Sequence, residues 1–199
     1  MNIQYLGTEY GGWAIDLDEI SDGDVVIDAG LGEDISFLED LNRNKRVEII
    51  GVDPTEKSHL FVSKKGMSNL TLIKKAIAKK GIGNITMFKN TNPNYVSESY
   101  CTDHGSVGEH ESYEVECVSI LDLIKKYSPS LIKLDIEGGE YDVLEECIGV
   151  KQVCVEFHHH CIESRTENDM NECLNKLTSN GYEIISSQLG REFTLLKSS

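Results

Sequence analysis

VVIDAGLGED, residues 25–34, is the stretch whose reading decides the fold. From Asp24 to Gly30 the run is apolar and β-branched without polar alternation, as expected of a strand covered on both faces. Gly30 and Gly32 then allow a tight turn and a close backbone approach that side chains would prohibit. The following EDISFLEDL places Ile35, Leu38 and Leu41 on one face, with acidic residues in the first turn, where the helix dipole favours them. Strand, glycine turn and helix in this order form the first unit of a nucleotide-binding α/β domain.

The same alternation continues along the chain. VEIIGVD (Val47 to Asp53) is a second strand, closed by Pro54. Leu70, Ile73 and Ile77 recur at three and four residues, predicting a helix over 68–80 that ends at Gly81. ITMF (85–88) reads as a third strand, and YEVECVS as a short strand before a helix carrying Leu121 and Ile124. Leu131 to Ile136, a short helix over YDVLEEC, and Val153 to His158 extend the pattern. Thr166 and Asp169 make a capping box for a last helix with Met170, Cys173, Leu174 and Leu177 on its apolar face. YEIISS and REFTLLK predict an antiparallel hairpin through Gly190. The expected fold is therefore a mostly parallel sheet with helices on both faces and an antiparallel C-terminal strand, in one domain over 1–199, with residues 1–20 as an N-terminal cover segment. Residues 89–113 are polar and too long for a routine connector, so they are read as a lid or substrate loop.

Charge and composition narrow the function. Nineteen Lys and Arg against thirty-four Asp and Glu give a net charge of −15. No basic stripe of the kind a nucleic-acid binder needs is visible, and the acidic balance disfavours anionic membranes. Lys74, Lys75, Lys79 and Lys80 fit a solvated helix face. The six cysteines form no CxxC pair and read as free thiols of a reducing compartment. No leader or membrane-spanning run is visible, so a cytoplasmic location is expected.

The chemistry concentrates at strand ends. The turn is not the three-glycine dinucleotide fingerprint: its third position is Ile35, and Glu33 and Asp34 would repel a diphosphate. This favours S-adenosylmethionine, which lacks phosphate and carries a sulfonium and an ammonium. Asp53, twenty-five residues after Asp28, is placed to accept from both ribose hydroxyls. Lys133, Asp135 and Glu137 share one side of their strand by period two, as do Glu156 and His158. Neighbouring strands would gather Asp135, Glu137, Glu156 and His158 around one cleft, as a general base or as ligands of a divalent ion. His159 and His160 point alternately and are weaker candidates. Asp103, His104, Glu109 and His110 are polar loop residues that spacing cannot place. Trp13 either caps the core or, with Tyr10, covers the cofactor's methionine end.

Four segments in order, VIDAGLGEDISF, VDPT, LIKLDIEGGEYDVL and VEFH, resemble the FkbM family of S-adenosylmethionine-dependent methyltransferases. The resemblance runs from YGGWAI (10–15) to the terminal strands. It implies a Rossmann-like class I methyltransferase fold with a seven-stranded sheet. It also implies cofactor contacts from Asp28, Gly30, Gly32 and Asp53, with Asp135 beside the transferring methyl group. Glu137, Glu156 and His158 then face the substrate, a hydroxyl oxygen on a sugar or secondary metabolite. The polar segment 89–113 departs from the family's usual hydrophobic step, leaving Asn90 and Thr91 as candidates for the adenine contact.

The expected mechanism is in-line methyl transfer, with His158 as base because an ordinary imidazole titrates near neutrality. Asp135 is the next candidate, with Glu156 orienting the imidazole and a divalent ion as the alternative use of the same residues. The rival functions are a non-catalytic S-adenosylmethionine-binding module and an NAD-dependent oxidoreductase. The acceptor and the oligomeric state are not readable from the residues.

Overall fold

The computed structural model describes residues 1–198, Glu109 and His110 by their backbone alone. The chain opens with a hairpin that the residue pattern did not announce, β1 (Ile3–Leu6) against β2 (Trp13–Asp16). β3 (Val25–Ala29), α1 (Ser36–Asn44), β4 (Glu48–Val52), α2 (Glu56–Lys65) and β5 (Leu70–Ile73) follow. Then come β6 (Ala76–Ala78), β7 (Asn84–Asn90), β8 (Val107–Ser119), α3 (Ile120–Tyr127) and β9 (Leu131–Leu134). The last elements are α4 (Glu140–Val143) with a 3-10 turn, β10 (Gln152–Glu156), α5 (Glu167–Thr178), β11 (Tyr182–Gln188) and β12 (Glu192–Lys197).

Seven strands form the main sheet in the order β11-β12-β10-β9-β3-β4-β5. β10, β9, β3, β4 and β5 run parallel, and β12 is antiparallel to both of its neighbours. This is the class I methyltransferase arrangement. Residue alternation divides the core between two faces. Val26, Ile49 and Leu131 pack with Leu38, Leu41 and Val62 of α1 and α2. Ile27, Ala29 and Ile132 pack with Leu123, Val143, Leu174 and Leu177 of α3, α4 and α5. The Thr166–Asp169 capping box starts α5 as its sequence requires.

Residues 68–80 are not a helix. Leu70 lies opposite Ile49 in a parallel pairing of β5 with β4, and β6 takes Ile77 into the core. An open sheet edge satisfied these backbone groups better than local periodicity predicted. The helix lies earlier, at α2, where Thr55 caps Ser58 N and Gly66 ends the run. Its apolar stripe is weak, with Val62 buried and Leu60 exposed, so periodicity missed it. The lysines therefore occupy no helix face; Lys75, Lys79 and Lys80 instead pair with Glu116, Asp142 and Asp122. ITMF is a strand outside the main sheet: β7 pairs with β8, and β6 lines the other edge of β8. Segment 89–113 is thus largely strand at both ends, and only 91–106 is irregular. All six cysteines are free. Among the described residues, no helix is long and apolar enough to cross a membrane.

Two buried polar pairs lock these pieces together. Gln152, fully buried on β10, uses its amide as a substitute strand edge: Oε1 accepts from Asp16 N and Nε2 donates to Asp16 O, both at 2.9 Å. The N-terminal hairpin is thereby fastened to the main sheet. In the sheet centre Asp28 and Lys133 are direct cross-strand partners. Lys133 Nζ lies 3.0 Å from Asp28 Oδ1 and 2.8 Å from Gly30 O. Replacing Gln152 with Leu strands two buried backbone groups and is expected to cost about 2–4 kcal/mol in urea unfolding; a loss below ~0.5 kcal/mol would show that the tie is unimportant. Lys133→Met is expected to cost about 3–5 kcal/mol by leaving Asp28 uncompensated. The double variant Asp28→Leu/Lys133→Met should recover much of that loss, and equal losses would contradict the pairing.

Candidate active site

Parallel strands leave their carboxyl ends on one edge of the sheet, and the strand order reverses between β3 and β9, where a crevice forms. A cavity of about 690 Å³ occupies this position, walled by the glycine turn, Asp53, residues 94–98, Asp135, Glu156 and His158. Its size is that of a small-ligand site.

The glycine turn is built against β9. Gly30 has φ +87°, and a Cβ there would fall 1.6 Å from the carbonyl oxygen of Asp135. Only glycine permits both the conformation and the contact. Gly32, at φ +56°, donates its N–H to Asp53 Oδ2 at 3.0 Å. Asp53 Oδ1 accepts from Thr55 N (2.8 Å) and Thr55 Oγ1 (2.7 Å), which fixes the carboxylate at the cavity wall. Asp34 accepts from Ser36 N and from Thr8 Oγ1, joining the N-terminal segment to the turn. Trp13 belongs to the core cluster of Leu31 and Phe37 and also lines the cavity, where Tyr10 stands exposed.

Two expected contacts lie elsewhere. Asp28 is buried under the turn, paired with Lys133, and does not line the cavity. Asn90 is occupied within its own loop, donating to Ser97 O and accepting from Asn92 N, and neither it nor Thr91 reaches the wall. Val96, Ser97 and Glu98 take that place. Loop 91–106 is pinned to the strand ends: Ser99 Oγ donates to Glu137 O, Tyr100 OH to Asp142 Oδ2, and Gly105 N to Cys161 O. Asp103 accepts from Ser164 N in the same way, away from the cavity. The side chains of Glu109 and His110 lie outside the described residues.

The expected convergence of Asp135, Glu137, Glu156 and His158 is present. His158 Nε2 lies 3.6 Å from Asp135 Oδ1 and 3.4 Å from Glu137 Oε2. Glu137, held at φ +52° after β9 ends, also meets His104 Nε2 at 3.0 Å. Glu156 does not orient the imidazole; its Oε1 accepts from Arg191 Nε at 3.0 Å. The orienting residue is Glu140, which is fully buried and which spacing did not single out. Its Oε1 accepts from both N and Nδ1 of His158 at 3.0 Å, and its Oε2 from Gly138 N at 2.9 Å. The only signal was a further acidic residue after the double glycine of DIEGGE. His160 lines the cavity, whereas His159 does not.

Electrostatics change the protonation expected of His158. Burial alone would lower the pKa of His158, but Glu140, Glu137 and Asp135 outweigh it and push the imidazole up to about 10. Near neutrality the ring holds its proton rather than accepting one, contrary to the ordinary imidazole assumed from sequence. Burial instead raises the Asp135 and Glu156 carboxyls, helped by Glu137 and Glu140 on Asp135 and by Asp135 on Glu156, against the pull of Lys133 and His158 on Asp135 and of His158 and Arg191 on Glu156. Burial would raise Glu137 too, yet His104 and His158 hold it below its usual value. Asp135 differs from the rest in one respect: its carboxylate accepts no hydrogen bond from any described residue, and its side chain remains 31% exposed to the cavity.

A family model for the methyltransferase FkbM domain matches residues 24–184. Among solved structures the chain is similar to an rRNA methylase from Streptococcus thermophilus, with a TM-score of 0.53 and 10% identity over 92% of this chain and 91% of that one. It is also similar to precorrin-6y C5,15-methyltransferase from Geobacter metallireducens GS-15, with a TM-score of 0.49 and 11% identity over 90% of this chain and 82% of that one. At 10% identity the likeness to the rRNA methylase speaks for the fold alone. No curated protein matches the chain in sequence. The matched region contains the glycine turn, Asp53, Asp135 and His158, and the chain belongs to the FkbM family of S-adenosylmethionine-dependent methyltransferases.

Proposed function

We propose that this methyltransferase acts on a hydroxyl oxygen of a small molecule, with Asp135 as the group that takes the hydroxyl proton. The observation that carries this reading is the position of Asp135. Its backbone carbonyl abuts Gly30 of the turn, and its carboxylate, which accepts no hydrogen bond from any described residue, opens into the cavity between Glu156 and His158.

The chain's residues fit the methyl donor. The turn offers close backbone approach at Gly30 and Gly32, and Asp53 offers a fixed carboxylate to ribose hydroxyls. Carboxylates dominate the wall, and its cations Lys133, Arg191 and His158 are each already paired with one, so a phosphate would find little to neutralise it. When bound, S-adenosylmethionine supplies an electrophilic methyl group on a sulfonium.

The methyl group would pass to an acceptor hydroxyl held in line with it, the thioether being the leaving group. Asp135, free of internal hydrogen bonds, takes the departing proton. His158 is a positioning cation: Glu140 holds its ring, and the ring in turn holds the Asp135 and Glu137 carboxylates toward the cavity. A net charge of −15 and an acidic wall also support a small acceptor rather than RNA.

Incubation with donor carrying a ¹³C methyl group and a small-molecule extract is expected to give products with O-linked methyl resonances. Transfer to RNA alone would refute the reading. With such an acceptor, Asp135→Asn is expected to lower kcat by about 10²–10⁴-fold, while S-adenosylhomocysteine binding in calorimetry changes no more than a few-fold. Unchanged turnover would remove Asp135 from the role of base. Asp53→Asn should do the reverse, weakening S-adenosylhomocysteine binding by roughly 10-fold or more through a lost charge-assisted bond; equal affinity would exclude the ribose contact.

A further inference from the structure

We propose that Asp135, Glu156 and His158 form a binding site for a divalent first-row metal ion at the acceptor end of the cavity. The inference rests on the hydroxyl-acceptor reading and adds a Lewis acid to it.

Geometry selects these three residues. One donor atom from each lies within 4.8 Å of the others. A first-row ion sits about 2.0–2.2 Å from nitrogen and oxygen ligands, so small carboxylate rotations bring all three into reach. The imidazole is prepared as a ligand. Its side chain is 5% exposed, and Nδ1 is committed to Glu140, whose carboxylate also accepts two backbone N–H groups. Glu140 holds the Nδ1 proton, so an incoming ion would displace only the Nε2 proton and take the lone pair that it leaves. Nε2 points among the carboxylates yet makes no hydrogen bond there, standing 3.4 and 3.6 Å from Glu137 and Asp135. A buried carboxylate behind a histidine whose other nitrogen faces acidic ligands is the arrangement that orients imidazoles on metals. Asp135 accepts no hydrogen bond from any described residue, standing 3.5 Å from Lys133 and 3.6 Å from His158, and among the described residues Glu156 is engaged at Oε1 by Arg191.

A neighbouring trio, His104, Glu137 and Cys161, fails on the same criterion. Ser106 N donates to His104 Nδ1 at 3.2 Å, so the neutral ring carries its proton on Nε2 and offers Glu137 no lone pair. The chosen set is two carboxylates and one imidazole with no thiolate, which suits Mn²⁺ or Fe²⁺. Its remaining positions face the cavity, where an ion would polarise an acceptor hydroxyl while the second oxygen of Asp135 takes the proton.

The test uses the full chain freed of metal by chelation and titrated with Mn²⁺, free ion being read by electron paramagnetic resonance. One equivalent is expected to bind, with affinity reduced on the order of 10–100-fold in Glu140→Gln and at least as much in His158→Gln and Glu156→Gln. Calorimetry with S-adenosylhomocysteine on the same samples reports folding and the donor site, and the comparison is made among variants that keep that binding. No Mn²⁺ binding by the unaltered chain, or equal binding by all such variants, overturns the metal site. Mn²⁺ binding without any response to S-adenosylhomocysteine would instead leave the metal site standing and overturn the donor assignment.

Discussion

The buried contact between Lys133 and Asp28 is the interaction on which the site depends. An uncompensated ammonium in the middle of a parallel sheet would cost several kcal/mol. Here it meets a carboxylate on the neighbouring strand, the carbonyl of Gly30 and, at 3.5 Å, the carboxylate of Asp135. One cation thus ties β3, the glycine turn and the end of β9 together at the point where the strand order reverses. The approach of Gly30 to the Asp135 carbonyl is the steric counterpart of that tie. The glycine turn and the Asp135 carboxylate are consequently parts of one rigid joint.

Beyond that joint the site is an acidic enclosure with few positive charges. Glu140 is spent on His158, Glu156 on Arg191, and Glu137 on His104. What remains open to the cavity is chiefly Asp135. Such an enclosure suits a cofactor that brings its own positive charge and no phosphate. It also explains why an imidazole here is a poor proton acceptor: the carboxylates that draw it into place stabilise its charged form.

Segments outside the main sheet supply the remaining walls. The β7–β8 hairpin carries a polar loop back over the strand ends and fastens it to Glu137, Asp142 and Cys161. On the other side, Gln152 anchors the N-terminal hairpin, whose following turn meets Asp34 through Thr8. Both attachments run through backbone groups and single polar side chains.

Patterns local to the chain determined much of this protein. Alternating apolar runs, the glycine turn, the Thr166 capping box and the paired acidic strand ends are short-range signals set by φ/ψ limits and side-chain period, so β3, α1, β9, β10, α5 and the convergence of Asp135, Glu137, Glu156 and His158 could be read directly. Tertiary structure alone decided what depends on a distant partner. Residues 70–73 became a strand because β4 offered an open edge, and Asp28 left the ligand wall because Lys133 stood opposite it. Asn90 was spent on its own loop, and Glu140 reached His158 only once β9 and β10 lay side by side. The charge state of His158 belongs to the same class, since it follows from carboxylates on separate segments, and a long-range electrostatic sum has no local spacing to announce it.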